Sequence, residues 1–167
     1  MGLRDRAIIL LFARLGLRAG DVAQLRLDDL DWEDGSILVS GKSRRQARLP
    51  LSQEVGDAII LKYLEHRPRS DAREVFLRSV APFRAFKSGG SASQVVTRAM
   101  RRAGISASCY GAHALRHTAA CEMIRQGVSL YEIGEVLRHK SVEMTAHYAK
   151  IDVGLLKQVT LPWPEVQ

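Results

Sequence analysis

Residues 36–51 read Ser36-Ile37-Leu38-Val39-Ser40-Gly41-Lys42-Ser43-Arg44-Arg45-Gln46-Ala47-Arg48-Leu49-Pro50-Leu51. Ser36–Ser40 has a β-branched and apolar centre, and Ala47–Leu51 forms a second short apolar segment. The six residues between them, Gly41 to Gln46, hold a glycine and three cations. This pattern predicts a β-hairpin with a strongly basic tip. Pro50 has no N–H to give a ladder, so the second strand lies at an edge or ends there. The hairpin decides the fold class, because the flanking sequence is dominated by helical patterns. The expectation is a mainly α fold with one small antiparallel sheet, of the α+β type.

On the N-terminal side, Arg4–Leu15 is continuously apolar with good helix formers and ends at Gly16. A short second helix is expected from Gly20 to Leu25, and Asp28–Gly35 reads as an acidic turn region. Beyond the hairpin, Ser52 can cap a helix running to His66. Val75-Phe76-Leu77 is a third strand candidate, and Pro82–Gly90 is expected to be loop broken at Gly89-Gly90. Further helices are predicted over Ser91–Ala103, Ala112–Gln126 and Leu130–Leu137, the last capped by Ser129. Two more follow, one from Ser141 to Tyr148 and one from Asp152 to just before Pro162.

The chain has 167 residues, enough to bury a core without staples. Its 46% hydrophobic and 26% charged content is that of a globular domain rather than a disordered chain. Two cysteines exclude a disulfide framework and fit a cytoplasmic location. No apolar run approaches the length of a membrane span, so no membrane partner is expected. Lys and Arg number 25 against 18 Asp and Glu, a net charge of +7. That excess favours a polyanionic partner, most often nucleic acid.

The densest polar cluster is His113-Ala114-Leu115-Arg116-His117. His113 and Arg116 share a helix face, and an imidazole beside a guanidinium suits a phosphate. On a solvated face the same pair also occurs by chance. His113 and His117 have the spacing of a zinc-binding helix, but Ala114 stands where the metalloprotease motif needs Glu. The cysteines lack metal-ligand spacing as well, so no metal site is assigned. A second cluster is Leu137-Arg138-His139-Lys140-Ser141, followed by Thr145 and Tyr148. Tyr148 is a rim residue on one reading and a covalent nucleophile on another. Arg18, between two apolar helices, needs an anionic partner: Asp21 three residues on, or a bound phosphate. Lys42 on a hairpin tip is by itself a solvated charge.

Taken in order, Gly16-Leu17-Arg18-Ala19-Gly20-Asp21, Gly41-Lys42 with Leu49-Pro50-Leu51, His113-Ala114-Leu115-Arg116-His117, and Leu137-Arg138-His139 with Tyr148 closely resemble the catalytic domain of tyrosine recombinases, the phage-integrase family. The resemblance covers the chain from about residue 3 to Tyr148, with Tyr148 nine residues after His139. It implies that Arg18 and Arg116 clamp the scissile phosphate with His139 as a third donor, and that Asp21 supports Arg18. It further implies that Tyr148 attacks phosphorus to form a 3′-phosphotyrosyl link, that Lys42 protonates the departing 5′-oxygen, and that His113 takes or holds the tyrosine proton. Such a reaction uses no metal, cofactor or ATP. The alternatives are a DNA-binding fragment that no longer recombines and a type IB topoisomerase-like enzyme.

Double-stranded DNA is the expected partner. Arg44, Arg45 and Arg48 near the hairpin tip, and Arg98, Arg101 and Arg102 on one helix, are the candidate phosphate contacts. The expected organisation is a catalytic domain over residues 1–150, a tail over 151–167, and no N-terminal DNA-binding domain. The tail carries Val153, Leu155, Leu156 and Val159. It packs on its own domain or, as the resemblance implies, docks on a neighbouring subunit. The free domain would then be a monomer that assembles on DNA. The family usually has Gly where Arg138 stands.

Overall fold

The computed structural model describes residues 2–40, 46–139 and 145, apart from the side chains of residues 60 and 61. Helix α1 (Leu3–Leu15) is the central element. It buries Ala7, Ile8, Leu11 and Phe12 completely, and Ile9, Leu10 and Leu15 also pack against the core. An apolar surface on several sides is what a helix surrounded by others requires. It stops at Gly16, whose φ of +56° lies in the left-handed region. A Cβ there would also come within 2.6 Å of Leu137 Cδ2, so glycine answers both a conformation and a close approach. Helix α2 (Ala19–Gln24) follows α1 after three residues, Gly16, Leu17 and Arg18.

The sheet has three antiparallel strands in the order β1 (Leu30–Asp31), β2 (Ser36–Ser40) and β3 (Gln46–Pro50). Ile37 pairs with Leu49 and Val39 with Ala47, which turns Ile37, Val39 and Leu49 to the core. The hairpin is where the sequence places it, with Pro50 ending an edge strand. The tip, residues 41–45, lies outside the described residues.

Several expectations need correction. The third strand is Leu30–Asp31, within the segment read as a turn, and not Val75–Leu77. Val75, Phe76 and Leu77 are fully buried, but their backbone is met by a loop carbonyl and a side-chain hydroxyl rather than by a ladder. Val75 N–H donates to the Leu25 carbonyl at 2.7 Å, and Leu77 N–H to the Tyr63 hydroxyl at 3.2 Å. Apolar β-branched content there reflects burial rather than a ladder. The expected helix from Ser52 is α3 (Gln53–Asp57), continued by a π-helical turn (Ala58–Tyr63) and a 3-10 turn (Leu64–His66). Ser52 makes no side-chain cap, and its carbonyl accepts from Val55 and Gly56 instead. Gly89-Gly90 does not break the chain. It opens α4 (Gly89–Arg102), because the first turn lies against α2 and a Cβ on Gly89 would sit 2.7 Å from the Ala19 carbonyl carbon.

Helix α5 (Ala112–Arg125) and helix α6 (Leu130–Val136) complete the described fold. Ser129 caps α6 reciprocally with Glu132, as its sequence suggests. Ala112 at the start of α5 packs in the main core, while Ala120 and Ile124 form a second cluster with Ile133 and Leu137. Arg116 lies on the same face of α5, between the two apolar groups. The helices predicted over 141–148 and from Asp152 onward lie outside the described residues, save Thr145, which is helical and buried.

Candidate active site

Arg116 is 6% exposed, an unusual position for a guanidinium. The fold meets it with two backbone carbonyls, Gly16 at the end of α1 and Leu137 at the end of α6. Helix C-termini leave carbonyls without intrahelical partners and carry the negative end of the helix dipole. Two helix ends thus converge on one cation. Arg18 is held in the same way, one guanidinium nitrogen donating to the Arg138 carbonyl just beyond α6.

Asp21 divides its contacts between two arginines. Its carboxylate accepts from the Arg18 backbone N–H at 3.0 Å but pairs with the guanidinium of Arg138, not of Arg18. Both side chains of that pair are about nine-tenths buried. Asp21 therefore fixes the turn that carries Arg18, while the Arg18 side chain reaches elsewhere.

Arg18, His113, Arg116 and His139 line one open cavity of about 380 Å³, together with Leu17, Ala19, Ser93 and Ala112. Four of the six expected catalytic residues, drawn from the α1–α2 turn, α5 and the end of α6, are therefore neighbours. Lys42 and Tyr148 lie outside the described residues. His113 is exposed on the cavity's rim. His139 Nδ1 lies 2.8 Å from the Thr145 hydroxyl. Burial, then the charges of Arg116 and Arg18, push the imidazole down to about 4. At neutral pH the ring is uncharged. If the Thr145 hydroxyl donates to Nδ1, the ring hydrogen sits on Nε2, the arrangement of a neutral hydrogen-bond donor.

Sequence reasoning named Thr145 without giving it a role, and it missed Ser93. The Ser93 hydroxyl accepts the Ala112 backbone N–H at 3.0 Å and so fastens the start of α5 to α4. A serine inside an ordinary amphipathic helix gives no sign of such a task. His117 does not join His113 in a metal site, since its Nδ1 faces Cys121 Sγ at 3.5 Å. Among the described residues no cluster of three metal-ligating side chains occurs.

Arg48 is engaged on the sheet by Asp31, Asp34 and the Ser36 hydroxyl, so it acts there as a structural ion pair. Arg44 and Arg45 lie outside the described residues. Arg98, Arg101 and Arg102 are exposed on α4. Arg98 also lines a larger cavity, about 530 Å³, with Arg4, Arg78 and Lys87. None of the expected catalytic residues lines it, so the smaller cavity is the candidate active site. Tyr63 is buried against Phe76, and burial raises its phenol. Tyr110 and Tyr131 are exposed.

The chain is 48% identical over 164 residues to y4rA of Sinorhizobium fredii, a protein named among integrase/recombinases. That match covers 98% of this chain and 40% of y4rA. It is 29% identical to tyrosine recombinase XerC of Syntrophus aciditrophicus, over 95% of this chain and 52% of XerC. The chain thus spans about two fifths to one half of these relatives. The fold is similar to the crystal structure of XerA recombinase, with a TM-score of 0.80 at 25% identity, over 93% of this chain and 55% of that one. It is also similar to XerH site-specific recombinase bound to its difH substrate, with a TM-score of 0.78 at 23% identity, over 98% of this chain and 46% of that one. Among the described residues no helix is long and apolar enough to cross a membrane. With residues 1–154 matching the family model described as the phage integrase family, and an arginine-histidine cavity built from the motifs its sequence displays, the chain belongs to the phage integrase family.

Proposed function

We propose that this chain is the catalytic domain of a site-specific DNA recombinase that cuts and rejoins strands through Tyr148. The observation that carries the reading is the convergence of Arg18, Arg116, His113 and His139 on one cavity from three separated segments. In the first step the Tyr148 phenol oxygen attacks the scissile phosphorus and gives its proton to His113. The bond from phosphorus to the 5′-oxygen breaks, and Lys42 protonates that oxygen. In the second step a 5′-hydroxyl attacks the 3′-phosphotyrosyl link, and Tyr148 leaves. Each step exchanges one phosphoester for another, so resealing needs no nucleotide hydrolysis.

Attack on phosphorus concentrates negative charge on the equatorial oxygens. Preorganised donors at those oxygens are the largest single source of rate acceleration in such reactions. Arg18 and Arg116 supply the charge, and a neutral His139 supplies a hydrogen bond. Backbone carbonyls hold both guanidinium groups before substrate arrives, so little reorganisation remains to be done. The partner is double-stranded DNA, on which a free monomer assembles.

The test is covalent trapping on a nicked duplex that loses its 5′-hydroxyl fragment after cleavage. The wild-type chain should form an adduct that survives denaturation. Tyr148→Phe should abolish it while leaving DNA affinity within about twofold, since only the nucleophile is removed. An adduct in the Phe variant would assign the nucleophile elsewhere. DNA binding without an adduct in the wild-type chain would favour a binding role.

A further inference from the structure

Arg138 is expensive to keep. Its φ is +53°, and it alone among the described non-glycine residues has a positive φ. A side chain in the left-handed region is strained. Its guanidinium is about nine-tenths buried. One nitrogen pairs with Asp21, but Nε and Nη1 have no hydrogen-bond partner among the described residues. Buried, unsatisfied donors destabilise a fold, and a buried ion pair does not by itself repay its desolvation. A residue that combines strain, burial and unmet donors is a poor staple. Such residues cluster where geometry serves a site.

The contacts close into a ring. Asp21 accepts the Arg18 backbone N–H. The Arg18 guanidinium donates to the Arg138 carbonyl. The Arg138 guanidinium returns to Asp21. His139, the next residue, lines the cavity, and its backbone N–H donates to Gly134 at 2.8 Å. Arg138 itself does not line the cavity. Its side chain anchors the turn through Asp21, and its main chain holds one catalytic candidate while carrying another.

We propose that Arg138 is a positioning residue. Through its pair with Asp21 it holds its own carbonyl against Arg18 and sets His139, aligning both with the reacting phosphate without touching it. The inference rests on the recombinase reading for its effect on rate, but not for its effect on geometry.

The test uses two variants of the full chain. Arg138→Gly relieves the φ strain but leaves Asp21 buried without its cation. The double variant Arg138→Gly/Asp21→Asn removes both charges and keeps an acceptor for the Arg18 N–H. The double variant should melt no lower than wild type, and its affinity for a nicked duplex should stay within about twofold. Its rate of adduct formation should fall at least about tenfold, as expected when aligned groups drift. In the DNA-free protein, the His139 titration followed by NMR should rise from about 4 as Arg18 swings away. A folded double variant with unchanged rate and unchanged His139 titration overturns the proposal. So does a rate loss that merely tracks a loss of melting temperature with His139 unmoved. If wild type forms no adduct, the recombinase reading fails, and the His139 titration still decides the positioning role: a rise supports it, and no change defeats it.

Discussion

His139 is an imidazole held neutral by burial and by two neighbouring cations. In the folded chain it binds a proton only as the pH falls to about 4, whereas the unfolded chain takes one up near 6.5. Between those values the unfolded state holds more protons. The contribution of His139 to stability is therefore complete above 6.5 and is lost as the pH falls toward 4. Calorimetry of His139→Gln against wild type should show a flatter fall of melting temperature across that window. Parallel curves would mean the ring is solvated. Arg116 was legible in the sequence as the guanidinium that shares a helix face with His113. The carbonyls that hold it were not, because a backbone acceptor has no residue-type signature. The side-chain partner of Asp21 was not legible for a related reason: Arg138 stands 117 residues away in the sequence.

The helices were legible where periodicity and caps agree. Gly16 ends α1 and Ser129 opens α6, as their residue types suggest. The misreadings lie where burial or close approach mimics another signal. Val75–Leu77 has strand composition without a sheet, and Gly89-Gly90 looks like a break while serving a contact. β1 is too short, at two residues, to show an alternating pattern. Gly16 joins element to site, since its left-handed turn ends α1 and its carbonyl holds Arg116. Gly16→Ala should destabilise the domain by about 1–3 kcal/mol through strained φ and the clash with Leu137. That corresponds to a fall of about 2–4 °C in melting temperature per kcal/mol. A variant that melts with wild type would show that α1 can end another way.

At the scale of the whole molecule, net charge and its placement are what the proposed DNA partner would meet first. The exposed arginines of α4 stand apart from the buried guanidinium of Arg116, so under the proposed function attraction and chemistry fall to different residues. Replacing Arg98, Arg101 and Arg102 together by Ala should reduce the slope of log affinity against log salt by about 2–3, if each neutralises one phosphate. Fluorescence anisotropy across a salt series reads this directly, and an unchanged slope would remove α4 from the DNA interface. Stability should hardly change, because the three side chains are exposed. The arginine grips reach far along the chain: Arg116 to Gly16 spans 100 residues and Arg18 to Arg138 spans 120. Synthesis runs from the N-terminus, so Arg18 is made long before the carbonyl that restrains it. A nascent chain released early, or a proteolytic product ending before α6, keeps the exposed arginines of α4 but lacks the Leu137 and Arg138 carbonyls that hold Arg116 and Arg18. Chain order thus leaves the Arg18 guanidinium without this grip until residue 138 has been made.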